Sequence, residues 1–544
     1  MQIQVQINEE GALRSQRYAF TDRFTLVTEL LQNARRAGAT NIEMAYDATT
    51  QVLVVQDDGR GLDDFQKLLS FHESGWDEDT RTEERPFGVG FSKCLYAATR
   101  CIVTSNHQCV DIDTAAALAK IAIDVEPIVD AVSGTRIELH GVDLPELGHR
   151  IETLCLGFPV PVHFNGTPLT RRFAAANLAM MTSLIGAVHL AGARDGQYSH
   201  DTLVFLQGFC VMKPNYYPLD KVNVVHLDSR QFMARLPDRD KLIDEDVQGK
   251  CINAELRACW RRTLEIAKIQ RSPESFVDIY YATMRAWGQT DLLNDLDVLP
   301  SELFEDIVDY PIQDDSGSRD YVRQVAVAPS RAAIESGGVT LVFLDWVGDD
   351  NTAHWMLAQA KGYLVFDWIG LHAEHWAQRH VHFLEEIPIQ VEAVSEQLRV
   401  QFEGRWVWPT VILCEAVLIR TNKEAVEITD KGVCHAGVVY IPTGETSGEA
   451  VRQASSFTDE NDQFLASDLD ADRDALADLI RRLRSVDPVQ TLDSLLQELR
   501  LDTYPLLHGK AFHVTVGSGS NPGHSVVLID EAVAAVMGGH HAGS

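Results

Sequence analysis

At residues 53–62 the string LVVQDDGRGL runs an apolar strand straight into two carboxylates and a Gly-Arg-Gly turn. Val52 to Asp57 has strand length and β-branched content, so Asp57 and Asp58 arrive at its end. There Gly59 and Gly61 let the backbone come close to a ligand. An acceptor carboxylate at such a point suits the exocyclic amine of adenine, and an ordinary Asp-Gly turn is the bland alternative.

Three further strings flank this one. In LVTELLQNARRAG, residues 26–38, Glu29 and Asn33 stand four apart and share one face of a helix expected from Phe24 to Ala37. A carboxylate and an amide stacked in this way suit a water-activating base and a Mg²⁺ ligand; a solvated Glu beside a surface Asn is the alternative. In RPFGVGFSKCLYAA, residues 85–98, Gly88 and Gly90 open a helix expected from Val89. Its first N–H groups suit a phosphate chain, and Lys93 adds a point charge. In SGTRIELHG, residues 133–141, Thr135 lies on a strand with a hydroxyl for the adenine edge or its water. No GxxxxGK[ST] string occurs, so phosphates are not held in the P-loop manner. Each string alone is weak, but their order and spacing are jointly constrained.

Together these strings resemble the GHKL superfamily, which groups gyrase, heat-shock chaperones, histidine kinases and MutL. Glu29 with Asn33 matches its first motif, DDGRG the second, FGVGF the glycine motif and GTRIEL the closing strand. The wording is most similar to the ninety-kilodalton heat-shock chaperones, including the Ser74-Gly75 pair. The resemblance implies ATP and Mg²⁺ as cofactors, Glu29 as general base and Asn33 on Mg²⁺. It further implies Asp57 as adenine reader, Gly59 and Gly61 as the turn that admits the base, Gly88 and Gly90 over the phosphates, and Thr135 beneath the adenine. Leu62 to Pro86 would be the lid. Arg85 departs from the glycine often found there, which implies a stiffer lid hinge or a phosphate contact by Arg85 itself.

The implied fold class is α/β (α+β), with an N-terminal Bergerat-type sandwich of helices on a mixed, largely antiparallel sheet, followed by further α/β domains. We expect the ATP-binding domain at 1–168, with strands at 41–46, 52–57, 101–105, 121–125 and 135–140, and a second, transducer-like α/β domain at 169–290. The second domain carries an apolar strand at 202–209 and a long helix at 246–268. A connector at 291–335, a third α/β domain at 336–443 and an acidic helical region with a Gly/His-rich tail at 444–544 complete the division, the helix running from Asp468 to Leu499.

Asp and Glu number 79 against 47 Lys and Arg, a formal charge of -32 that repels nucleic-acid phosphates over most of the surface. Nine cysteines form no CxxC pair and fit reduced thiols. No apolar run is long enough for a membrane span and the N-terminus has no export pattern, so a soluble, cytoplasmic chain is expected. His372, His375, His380 and His382 are close enough to suit a transition metal, but no Glu-x-x-His arrangement accompanies them and no metal is expected; Cys434-His435 would diverge on a strand, so packing is the reading there rather than a nucleophilic dyad. The six tryptophans between Trp346 and Trp408 leave core and partner-surface readings open.

In the gyrase, MutL and chaperone relatives a second-domain Lys or Arg reaches the terminal phosphate. Here SRQFMARLPDRDK offers Arg230, Arg235, Arg239 and Lys241, with surface pairing as the alternative. The chain therefore reads as an ATPase, chaperone-like or clamp-like, whose protomers pair on binding ATP and whose clients are proteins rather than nucleic acid. A DNA-transacting ATPase and a histidine kinase are the rival expectations.

Overall fold

Leu26, Val27, Leu30, Leu31 and Ala34 recur at helical spacing, and in the computed structural model of the protein they are buried along helix α1 (Thr25–Arg36). The structure describes residues 23–71, 90–235, 240–309, 319–345, 351–454, 466–518 and 523–529, with isolated positions 4, 8, 10, 11, 13, 76 and 78. Two compact units make up the chain, one of residues 1–300 with 370–375, the other of residues 301–369 with 376–544. The architecture is mixed α/β.

The first unit opens with a sheet of β1 (Ile42–Asp47), β2 (Val52–Asp57), β3 (Arg100–Asp113), β4 (Val125–His140), β5 (Val162–Phe164) and β6 (Thr167–Pro168), in the order β3-β4-β2-β1-β5-β6. Its pairs are antiparallel except β1 with β5, which is parallel. One face carries α1, α2 (Ser92–Ala97) and α3 (Leu147–Leu154), burying Leu31, Ile42, Met44, Leu53, Cys101, Leu139 and Ile151 in one core. The strand expected at 121–125 begins only at Val125: the Asp113 carboxylate accepts the Ala116 N–H at 2.9 Å and caps a helical turn over Thr114–Leu118 instead. The helix expected from Val89 starts at Ser92.

A second sheet in this unit comprises β7 (Met181–Ser183), β8 (Gly186–His189), β9 (Thr202–Leu206), β10 (Phe209–Met212) and β11 (Asn223–Leu227), in the order β10-β9-β11-β8-β7. The run expected as one strand at 202–209 folds back on itself, because Gln207 at φ 53° and Gly208 at φ +90° turn β9 into β10. Helix α4 (Glu245–Gln270) buries Ile252, Leu256, Trp260 and Leu264. Helix α5 (Pro273–Trp287) follows, started by the Ser272 cap with Pro273 in its first turn and stopped by Gly288 at φ +64°.

The second unit holds a five-stranded sheet ordered β13-β12-β15-β14-β16, from β12 (Phe304–Ile307), β13 (Val322–Gln324), β14 (Leu341–Phe343), β15 (Leu364–Phe366) and β16 (Val381–Phe383). The stretch expected as a connector thus supplies two strands. Helix α6 (Thr352–Lys361) buries Trp355, Met356 and Leu357 beside it. Smaller sheets follow, β17-β20-β21 from β17 (Gln390–Val394), β20 (Ala416–Arg420) and β21 (Ala425–Ile428), and β18-β19-β23-β22 from β18 (Leu398–Gln401), β19 (Thr410–Leu413), β22 (Val433–His435) and β23 (Val438–Ile441). The apolar run WPTVILCEAVLI therefore divides between two sheets. Its split falls at adjacent residues, since the Cys414 N–H donates to Ile441 O at 3.1 Å and the Glu415 N–H to Val394 O at 3.0 Å.

The acidic segment forms two helices, α7 (Ala466–Arg484) and α8 (Pro488–Glu498), rather than one. Pro488 has no N–H to give, and Asp487 caps the second helix by accepting from Val489 and Gln490. A hairpin of β24 (Ala511–Val516) and β25 (His524–Ile529) follows. Asp472, 1% exposed on α7, accepts the backbone N–H groups of Arg405, Trp406 and Val407 at 2.5, 2.7 and 3.0 Å. Replacing it by alanine strands three donors, so Asp472→Ala should lower stability by at least about 3 kcal/mol. Urea unfolding checks this; an unshifted midpoint would mean that the three N–H groups find other partners.

Candidate functional site

Strand β2 lies inside the first sheet, between β4 and β1, and its last residue, Asp57, is buried. Burial pushes the Asp57 carboxyl above its ordinary range, opposed by the hydrogen bond from Gly59. That N–H donates to Asp57 Oδ1 at 2.8 Å. The neighbouring carboxylate does a different job. Asp58 accepts from Thr40 N at 2.6 Å, Thr40 Oγ1 at 2.5 Å and Asn41 N at 2.9 Å, and the Thr40 hydroxyl foremost holds its pKa below the usual range. Asp58 fastens the turn to the start of β1, leaving Asp57 as the buried acceptor at the strand end.

The turn has no room for side chains. At Gly59 a Cβ would lie 2.7 Å from Ala37 Cβ and 2.8 Å from Asp57 Oδ1, and the Arg60 N–H donates to Ala37 O at 2.9 Å. The glycine turn is thus seated on the C-terminal end of α1. Gly61, at φ +75°, packs against Ser105, whose hydroxyl accepts from Leu62 N at 2.8 Å and donates to Gly134 O at 2.7 Å. Thr135 is the cross-strand partner of Asp57, is itself buried, and has its hydroxyl 3.5 Å from that of Ser105. Ser105 was not among the residues singled out from sequence. It lies where the β3–β4 register shifts, which no local pattern announces.

The middle of α1 meets the third string. Glu29 is buried, and its Oε1 lies 3.6 Å from Lys93 Nζ, with both side chains at most 6% exposed. A Cβ added at Gly90 would lie only 2.6 Å from its Oε2. Lys93, expected near phosphate, is thus paired with Glu29 in this structure. Asn33, one turn along α1, is half-buried, and its side-chain amide has no hydrogen-bond partner among the described residues. A single oxygen donor fits Mg²⁺, which keeps waters and phosphate oxygens in most of its coordination positions. Gly88, Arg85, Ser74 and Gly75 lie outside the described residues, as does most of the expected lid. From the described part of that lid, Trp76 lies under the Arg60 guanidinium, 5.1 Å from ring centroid to Cζ.

Helix α1 is also touched from the second sheet. Gln32, 1% exposed, donates from Nε2 to Gln207 Oε1 at 2.9 Å and accepts Arg35 Nε at 2.9 Å. In the basic string Arg230 pairs with Asp228, Arg235 with Asp240 and Lys241 with Glu245, each basic side chain more than half exposed, while Arg239 lies outside the described residues. His372 Nδ1 is 3.2 Å from Asn294 Nδ2, and His375 is buried. Among the described residues no group of three or more His, Cys, Asp or Glu is placed to hold a metal, and no helix is long and apolar enough to cross a membrane.

Residues 21–141 match the family model of the histidine kinase-, DNA gyrase B- and HSP90-like ATPases. The segment is thus similar to GHKL-type ATPase domains, a likeness that supports ATP binding and ATPase activity. No curated protein matches the chain.

The contact at Gly90 makes a prediction. In Gly90→Ala the atom in the way is the tip of the Glu29 side chain, so the carboxylate moves while the backbone stays. If Glu29 is the base, turnover should fall about 10- to 100-fold with melting temperature nearly unchanged. Steady-state ATPase rates beside a thermal melt check it, and an unaltered rate would separate Glu29 from the chemistry.

Proposed function

We propose that the chain is a Mg²⁺-dependent ATPase in which nucleotide closes the lid and promotes pairing of two protomers, in a chaperone-like or clamp-like cycle. What supports this is the meeting of three strings on one helix: the glycine turn seats on the end of α1, and at its middle Lys93 pairs with the Glu29 carboxylate while Gly90 leaves it room. Asp57, with Thr135 beside it, accepts the adenine amine, and its buried setting strengthens that hydrogen bond. Gly59 and Gly61 let the turn pack tightly enough on Ala37 and Ser105 to bring its backbone to the base, and Gly90, with Gly88, adjoins the phosphates. Lys93 supplies positive charge to them.

Glu29 takes a proton from water as the water oxygen adds to the γ-phosphorus and the bond from that phosphorus to the ADP oxygen breaks, giving ADP and phosphate. Bound through Asn33, Mg²⁺ would neutralise charge on the phosphate oxygens. Helix α1 carries both groups, so its placement sets their spacing. The Gln32–Gln207 hydrogen bond offers a route from this helix to the second sheet. The net charge of -32 favours protein clients over nucleic acid.

The test is ATP turnover and nucleotide binding for wild type beside Glu29→Ala and Asp57→Asn. Glu29→Ala should keep binding and lose hydrolysis, by about 100-fold or more. Asp57→Asn should lose both, because an amide presents a donor where adenine also donates. Equal turnover in all three proteins would rule the assignment out.

A further inference from the structure

Among the described residues of the N-terminal sheet and its helices, Glu29, Asp57 and Lys93 are the buried charged side chains. Two of these three face each other. A buried ion pair costs desolvation at both ends, and losing one partner leaves the other charge uncompensated. The residues proposed to activate water and to neutralise phosphate therefore occupy each other. One short stretch bounds the carboxylate, Lys93 pairing with Oε1 at 3.6 Å and Gly90 leaving Oε2 the space that a Cβ would take. Lys93 is also a strongly hydrated point charge that favours a multiply charged phosphate chain over a single carboxylate.

We propose that Lys93 is an exchangeable counter-ion: without nucleotide it holds Glu29, and a bound triphosphate draws its ammonium away and frees the carboxylate for water. The inference rests on the proposed assignment of Glu29 as base. It makes activation of the base conditional on phosphate at the site, so water is not activated before the triphosphate arrives. By linkage, whatever Lys93 gains from Glu29 is subtracted from its affinity for phosphate.

The experiment is calorimetric binding of adenosine and of a non-hydrolysable ATP analogue with Mg²⁺ to wild type, Glu29→Gln, Lys93→Met and the double variant. Glu29→Gln should bind the analogue about five- to tenfold more tightly, with adenosine unchanged. In the Lys93→Met background the same Glu29→Gln change should have no effect; where Lys93→Met alone fails to fold, the double variant, which removes both charges, is compared with wild type and should show no gain in analogue affinity. An analogue affinity that is unchanged or weaker in Glu29→Gln, or an equal gain without Lys93, would overturn the exchange while leaving the ATPase assignment standing. No uptake of either ligand by wild type would overturn that assignment and the exchange with it.

Discussion

Because β2 is flanked on both sides, by β4 and β1, its backbone cannot shift without breaking two ladders of hydrogen bonds. Its last residue is Asp57, so the position of that carboxylate is fixed by the sheet rather than by the loop that follows. Everything else around the candidate site is arranged relative to this point. Thr135 is placed by cross-strand register, the glycine turn by its bond to Ala37, and α1 by the core it shares with the sheet. Asp58 adds a local fastening, and the two adjacent carboxylates end with opposite environments, one buried and raised, the other exposed and lowered.

This division explains why the site strings could be read without a structure while their interactions could not. Strand and helix periods place Asp57 at a strand end and Glu29 with Asn33 on one face, because both periods are local properties of the backbone. The pairing of Glu29 with Lys93 depends on how α1 packs against the stretch at residues 90–93, and no spacing encodes that. Ser105 escaped notice for a similar reason. Its importance comes from a register shift between β3 and β4 that brings its hydroxyl to Leu62 and Gly134.

The second unit was less legible. Its apolar runs signalled strands, but length alone could not say that β19 and β20 belong to different sheets. The break between α7 and α8 was available in the sequence, since Asp487-Pro488 is a stop and a start together, and acidic helical composition obscured it. The strands within residues 301–330 were masked by Asp, Ser and Pro, which suit a sheet-edge strand such as β13 as well as a loop.

The junction at Cys414 and Glu415 carries a mechanical consequence. One uninterrupted peptide hydrogen-bonds to Ile441 in one sheet and, at the next residue, to Val394 in another. Opening either sheet pulls directly on an interior strand of its neighbour, β19 or β20, which couples the two layers. Coupling of this kind joins neighbouring elements into shared units of local opening, the scale on which hydrogen exchange reads stability.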